Sequence, residues 1–178
     1  TFLVYHTFFV CQQKRRLRSR QSLLSASLQI SFNDILLSRL PGNFLLHILP
    51  HFETYQQTTE YSCACASTLM VLNHYGNHDY NELDICRMVD TDTSEGTPVE
   101  NIAKVFDSIG WKTTSHADTK RYFESQDDFE TFLLKSLDEG TPVMVDWLDW
   151  GGHWQVIIGL DQIGTDTPDD DVLVMADP

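Results

Sequence analysis

The sequence predicts an α+β domain in which helices come first and an antiparallel sheet is built late in the chain. Three observations carry this. Between residues 63 and 139 four segments have helical character, three of them closed by a glycine. From residue 141 onward the apolar runs become short, rich in Val and Ile, and bounded by Gly, Pro and Asp. The composition, 42% hydrophobic and 21% charged over 178 residues, is that of a globular chain long enough to bury a core. Runs of helices followed by runs of strands are the order of α+β folds.

The elements follow in turn. Residues 63–75 read as a helix with Ala66, Leu69, Met70 and Asn73 on one stripe and Gly76 as its stop. Residues 81–89 make a short second helix. "TPVE" at 97–100 has the form of a capping box with proline at the first helical position, which predicts a helix over 98–109 closed by Gly110. Ser125 with Asp128 opens another, "QDDFETFLLKSLDE", which Gly140 ends. "PVMVDWL", "HWQVIIGLD" and "DVLVMAD" then read as strands.

The charge divides the chain near position 50. Residues 1–50 carry six basic side chains against Asp34 alone, a net +5, whereas residues 51–178 carry 6 basic and 25 acidic ones, a net −19. Two regions are expected: a basic leader over 1–50, with Pro41, Gly42 and Asn43 as a turn within it, and a domain over 51–178. The acidic body excludes nucleic acid as a partner, because it offers nothing to neutralise phosphates. It favours a cationic substrate or simply keeps the chain soluble. "TFLVYHTFFVC" is apolar but shorter than the ~20 residues that span a bilayer. It is followed by "KRRLRSR", the order of a stop-transfer segment. This segment reads either as a poorly ordered leader or as the remnant of a membrane helix, which would make the chain membrane-associated or extracytoplasmic. The first residue is threonine and Pro178 follows an expected strand directly, so the chain reads as a fragment at one or both ends.

Chemistry concentrates in "QTTEYSCACASTLMVLNHYG", residues 57–76. A thiol becomes a strong nucleophile where its thiolate is stabilised, and the unpaired N–H groups of a helix N-terminus do this. Cys63 stands at that position. Cys65 lies further inside the turn and reads as structural, and Cys86, within "LDICRMV", as core. Four cysteines in a chain of this length do not form a disulfide framework. A nucleophilic thiol also needs a base, itself oriented by a third group. His153 opens a strand after two glycines and can serve. Were "HWQVIIGLD" and "DVLVMAD" paired about a turn centred on Thr165, opposed residues would sum to 330, which sets Asp177 opposite His153. One bulge would shift that register. Gln57, six residues before Cys63, offers a side-chain amide that could stabilise an oxyanion by roughly 3 kcal/mol, with Gln56 as an adjacent rival.

Gln57, Cys63 with "CACASTLMVLNHYG", "GTPV" at 140–143, "GGHWQVIIGLD" and the closing "ADP" together resemble the papain-like cysteine peptidases. Within these they are most similar to the bacteriocin-leader (double-glycine) processing peptidases and their stand-alone relatives. The resemblance covers about residues 50–178. It implies a papain-like α+β fold, with an N-terminal nucleophile helix on a C-terminal antiparallel sheet, and cleavage of a peptide bond by Cys63, His153 and Asp177 with Gln57 at the oxyanion. It implies a peptide or protein substrate and no cofactor. Family members usually carry glycine after the nucleophile, where this chain has Ala64, and further strands follow the Asp.

Other readings stand beside this one. The same thiol site with another acyl acceptor is a transferase or transpeptidase, and without activity it is a binding module. Cys63, Cys65, His74 and His78 could hold zinc, although structural zinc sites favour two to four residues between paired cysteines and here there is one. "DTPDDD" reads as a solvated turn and lacks the spacing of a calcium loop. Trp147, Trp150 and Trp154 flank His153 and either line a substrate groove or cap the core.

Overall fold

The computed structural model describes residues 5–12, 46–115, 123–147, 151–164 and 167–178, with the backbone alone for 5–12 and Trp147. The basic run at 14–20, the turn at 41–43, Trp150 and Thr165 lie outside the described residues.

The order is β1 (Tyr5–Gln12), β2 (Leu46–Ile48), α1 (Cys63–His74), α2 (Glu82–Met88), α3 (Val99–Ser108), β3 (Lys112–Ser115), α4 (Gln126–Asp138), β4 (Val143–Trp147), β5 (His153–Asp161) and β6 (Val172–Ala176). The fold is α+β. Among the described residues six strands form one sheet in which every pairing is antiparallel, ordered β2-β5-β4-β1-β3 with β6 also on β5. β4 and β2 pair with successive stretches of β5, and β6 pairs along both stretches, so β6 occupies the opposite edge of β5. At the β2 crossing a side chain on Gly159 would stand 2.8 Å from the His47 carbonyl oxygen, which is why this strand position is glycine.

Side-chain alternation along the strands divides the core in two. Met144, Trp154, Val156 and Ala176 meet the cluster built by α1, α2 and α3, whereas Val143, Val145, Ile157 and Leu160 meet Leu133 and Leu137 of α4. Helices therefore cover both faces. Met70, Leu72 and Phe106 are fully buried, each contributing about 1.5–3 kcal/mol.

Four features differ from the sequence expectation. The stripe assigned to the first helix is too narrow, because every residue of α1 from Ala64 to Leu72 is buried. A helix enclosed by a sheet on one side and two helices on the other needs no polar face. The capping box at Thr97 does not form: Pro98 is the N-cap, and the Thr97 hydroxyl lies 2.8 Å from that of Thr91. β3, "KTTS", lacks hydrophobic alternation and so carries no strand pattern, although it pairs along β1. Finally, the segment expected as a leader over 1–50 contributes β1 and β2. "YHTFFVCQ" is too short to cross a bilayer but suits a strand by its aromatic and β-branched content. Among the described residues no helix is long and apolar enough to cross a membrane.

Candidate active site

Cys63 is the first residue of α1 and is partly exposed. Ser62 precedes it as the N-cap but gives no side-chain cap, and the first turn holds no acidic residue. The first N–H groups of the helix are thus left without a side-chain cap where the thiol sits.

Across from it, Gly151 and Gly152 take φ of 96° and 86°, conformations that other residues rarely adopt, and bring the chain sharply into β5 with His153 as its first residue. One contact sets helix and strand against each other. The buried Ser67 hydroxyl, one turn along from Cys63, donates to the carbonyl of Trp154, the neighbour of His153 (3.2 Å). Across this contact the Cys63 thiol acts on the ionisation of the His153 imidazole.

His153 Nε2 lies 2.6 Å from Asp177 Oδ1, which leaves Nδ1 for the thiol. The imidazole pKa is pushed up to about 9, first by the hydrogen bond with Cys63, against the opposing effect of burial, and then by the Asp177 carboxylate. Asp177 is raised by partial burial, but its bonds with His153 and Gln155 outweigh this and hold it below the ordinary carboxylate value.

The register that joins these residues differs from the expected one. Val156 pairs with Ala176 and Ile157 with Met175, a sum of 332, and an irregularity between Ile157 and Gly159 moves the remaining pairs to 333. Gln155, not His153, therefore falls opposite Asp177. The slip of two residues preserves the sheet face, so His153 reaches Asp177 as a diagonal neighbour. Gln155 Nε2 donates to the same carboxylate oxygen at 2.9 Å. Gln155 was missed in the sequence, although its place two residues after His153 on one strand face was the available signal. Ser67 carried none.

Gln57 is half-buried and Gln56 exposed. The Gln57 Nε2 donates to the Thr59 carbonyl at 2.6 Å, which fixes the nitrogen end of the amide and leaves its second N–H for another acceptor. Its Oε1 is buried and has no partner among the described residues.

The zinc reading loses its donor set. Cys65 forms a disulfide with Cys86, their Cα atoms 5.5 Å apart, a bridge the sequence expectation did not contain. His74 turns to the Gly140 carbonyl and His78 to the Asn73 side chain. Trp154 is 4% exposed and packs in the core. Asp169 and Asp170 lie in a 3-10 turn capped by the Thr167 hydroxyl.

The site offers a thiol at a helix start, an imidazole whose ionisation that thiol shifts, and a carboxylate bonded to the imidazole. No curated protein and no solved structure matches the chain. A protein-family model described as Peptidase_C39 like family matches residues 50–178, a span that contains these three residues and Gln57. The chain belongs to the Peptidase_C39 like family and is related to the papain-like cysteine peptidases.

Proposed function

We propose that the chain hydrolyses peptide bonds by covalent thiol catalysis. Cys63 Sγ attacks the substrate carbonyl as a thiolate, with His153 as the imidazolium partner. The tetrahedral oxyanion is held by the free N–H of the Gln57 amide and the backbone N–H of Cys63. His153 passes its Nδ1 proton to the leaving amine, which departs and leaves a thioester on Cys63. A water molecule, deprotonated by the same imidazole, then releases the acid and restores the thiol. Asp177 bonds Nε2 throughout, holding the ring's orientation and favouring its protonated form. No cofactor enters these steps.

The observation that carries the proposal is the placement of one imidazole between Cys63 and Asp177, with its pKa raised to about 9 chiefly by the thiol. The partner is a peptide or protein. The test is cleavage of a peptide library by the purified chain, together with labelling by a thiol-directed electrophile at neutral pH. Cleavage lost in Cys63→Ala, and labelling of Cys63 faster than that of a free cysteine, are the expected results. A Cys63 no more reactive than free cysteine would reduce the domain to a binding module.

A further inference from the structure

Among the described residues the catalytic steps leave two buried carboxyl groups unused, Asp146 and Glu82. Glu82, the first residue of α2, is 5% exposed. A carboxylate so placed is costly unless a cation or several donors satisfy it. None of the influences on its ionisation is a cation. All of its donors come from one stretch of chain, the loop that leads into α1. The Thr58 backbone N–H reaches both carboxylate oxygens, at 3.0 and 3.2 Å. The Tyr55 hydroxyl donates at 3.2 Å. The Ser62 hydroxyl, which donates to the Thr59 carbonyl at 3.1 Å, lies near enough to help hold the carboxyl pKa down. Burial raises the carboxyl pKa, but the bonds from Ser62, Thr58 and Tyr55 more than offset it and keep the group ionised. The tyrosine is shifted upward by burial and by Glu82, which keeps it a donor.

Gln57 lies between Tyr55 and Thr58, and its amide is anchored to Thr59. Ser62 immediately precedes Cys63. Every residue that grips Glu82 therefore flanks one of the two proposed oxyanion donors. α2 is itself fastened: one turn after Glu82, Cys86 forms the disulfide to Cys65 of the nucleophile helix. An acid in a helix first turn is favoured by the N–H groups of its own helix, yet this carboxylate is bonded to a separate stretch of chain.

We infer that Glu82 is a positioning residue, whose carboxylate holds the loop 55–62 so that the Gln57 amide and the Cys63 N–H converge on one point. The inference rests on the catalytic reading proposed above.

The test compares the intact chain with Glu82→Gln. Alkylation of Cys63 by iodoacetamide needs the thiolate but no oxyanion, whereas cleavage of a peptide amide needs both. In Glu82→Gln kcat should fall by about ten- to a hundredfold, with KM and the alkylation rate unchanged. Loss of alkylation in proportion to cleavage would overturn the inference, Glu82 then serving the fold alone. A second measurement needs no turnover: nuclear relaxation of the Gln57 side-chain amide and the Thr58 backbone amide. Both should be ordered in the native chain and gain mobility in Glu82→Gln while the core does not. A Gln57 amide equally ordered in both would overturn the inference. If the native chain neither labels nor cleaves, the catalytic reading falls and relaxation alone decides the role of Glu82. Should Glu82→Gln fail to fold, Tyr55→Phe removes one donor and leaves the charge. It should give a smaller loss confined to kcat, and an unchanged kcat would overturn the inference.

Discussion

The β5–β6 hairpin carries two aspartates six positions apart whose surroundings act in opposite directions. At the open end Asp177 receives hydrogen bonds from His153 and Gln155, and its carboxyl is held below the ordinary value. At the loop end Asp171 meets partial burial and then Glu130, Asp161 and Asp170, which together raise it. One end is built to hold charge and the other merely tolerates it. Net charge alone does not set how readily a carboxylate ionises in so acidic a chain; its immediate partners do.

The largest expected effect removes the partner that most shapes the open end. Cys63→Ala should reduce kcat by about 10⁶-fold, with the fold intact by circular dichroism. It should also return the His153 titration toward its ordinary value, because the hydrogen bond with Cys63 is the first cause of the rise. Proton resonances of the ring followed against pH measure this. A His153 unmoved by Cys63→Ala would mean that the carboxylate end alone governs the ring.

A second effect lies off the hairpin and tests its independence. The Cys65–Cys86 bridge closes a loop of 21 residues, so its reduction should cost about 3 kcal/mol of folding stability. Denaturant titrations with and without reductant measure the difference. The His153 titration should stay in place, since neither cysteine is among the groups that shift it. Cys65→Ala should likewise keep most of the activity, unlike Cys63→Ala.

Third, Asp177→Asn should lower turnover by roughly a hundredfold and lower the His153 pKa by less than Cys63→Ala does. The sign follows from the raised imidazole. Its stabilising contribution is complete below the unfolded value of about 6.5 and is lost as pH rises through about 9. The alkaline limb of activity should therefore lie near pH 9 in the native chain and move toward neutrality in Asp177→Asn. Because thiol and imidazole titrate together, the limb belongs to the pair. A limb that stays in place in Asp177→Asn would leave a Cys63–His153 dyad and remove Asp177 from the chemistry.

The hairpin also shows what the sequence could carry. Strand identity, the face of each residue and the association of His153 with Asp177 were legible, because period-2 patterning survives a slip of two residues. The identity of the opposed residue was not, because the irregularity at Ile157/Gly159 leaves no compositional mark. Four helices were legible from their spacing and stops. β3 was not, being short and polar, nor was β1, whose strand partners lie a hundred or more residues away. The disulfide escaped because Cys65 and Cys86 meet only once α1 and α2 have packed. Gln57 was legible by its distance from Cys63, but the carboxylate that grips its loop looked like any acid in a helix first turn.

The smallest expected effect belongs to the loop end. An aspartate raised in the fold resists ionisation there, so above its unfolded value it subtracts from stability, most fully above its folded value. Asp171→Asn removes that penalty and should stabilise the chain at pH 7. The site is only partly buried, so screening limits the gain to about 0.5 kcal/mol. The gain should fade as pH falls toward the ordinary aspartate value, where the native carboxyl takes up its proton. Activity and the His153 titration should not change, since Asp171 lies at the opposite end of β6 from Asp177. Thermal melts at pH 7 and pH 4, set beside the kinetics, measure both halves. If Asp171→Asn instead destabilised the chain at neutral pH, its carboxylate would be making a contact that outweighs three like charges. The contrast between the two ends of the hairpin would then be one of degree and not of sign.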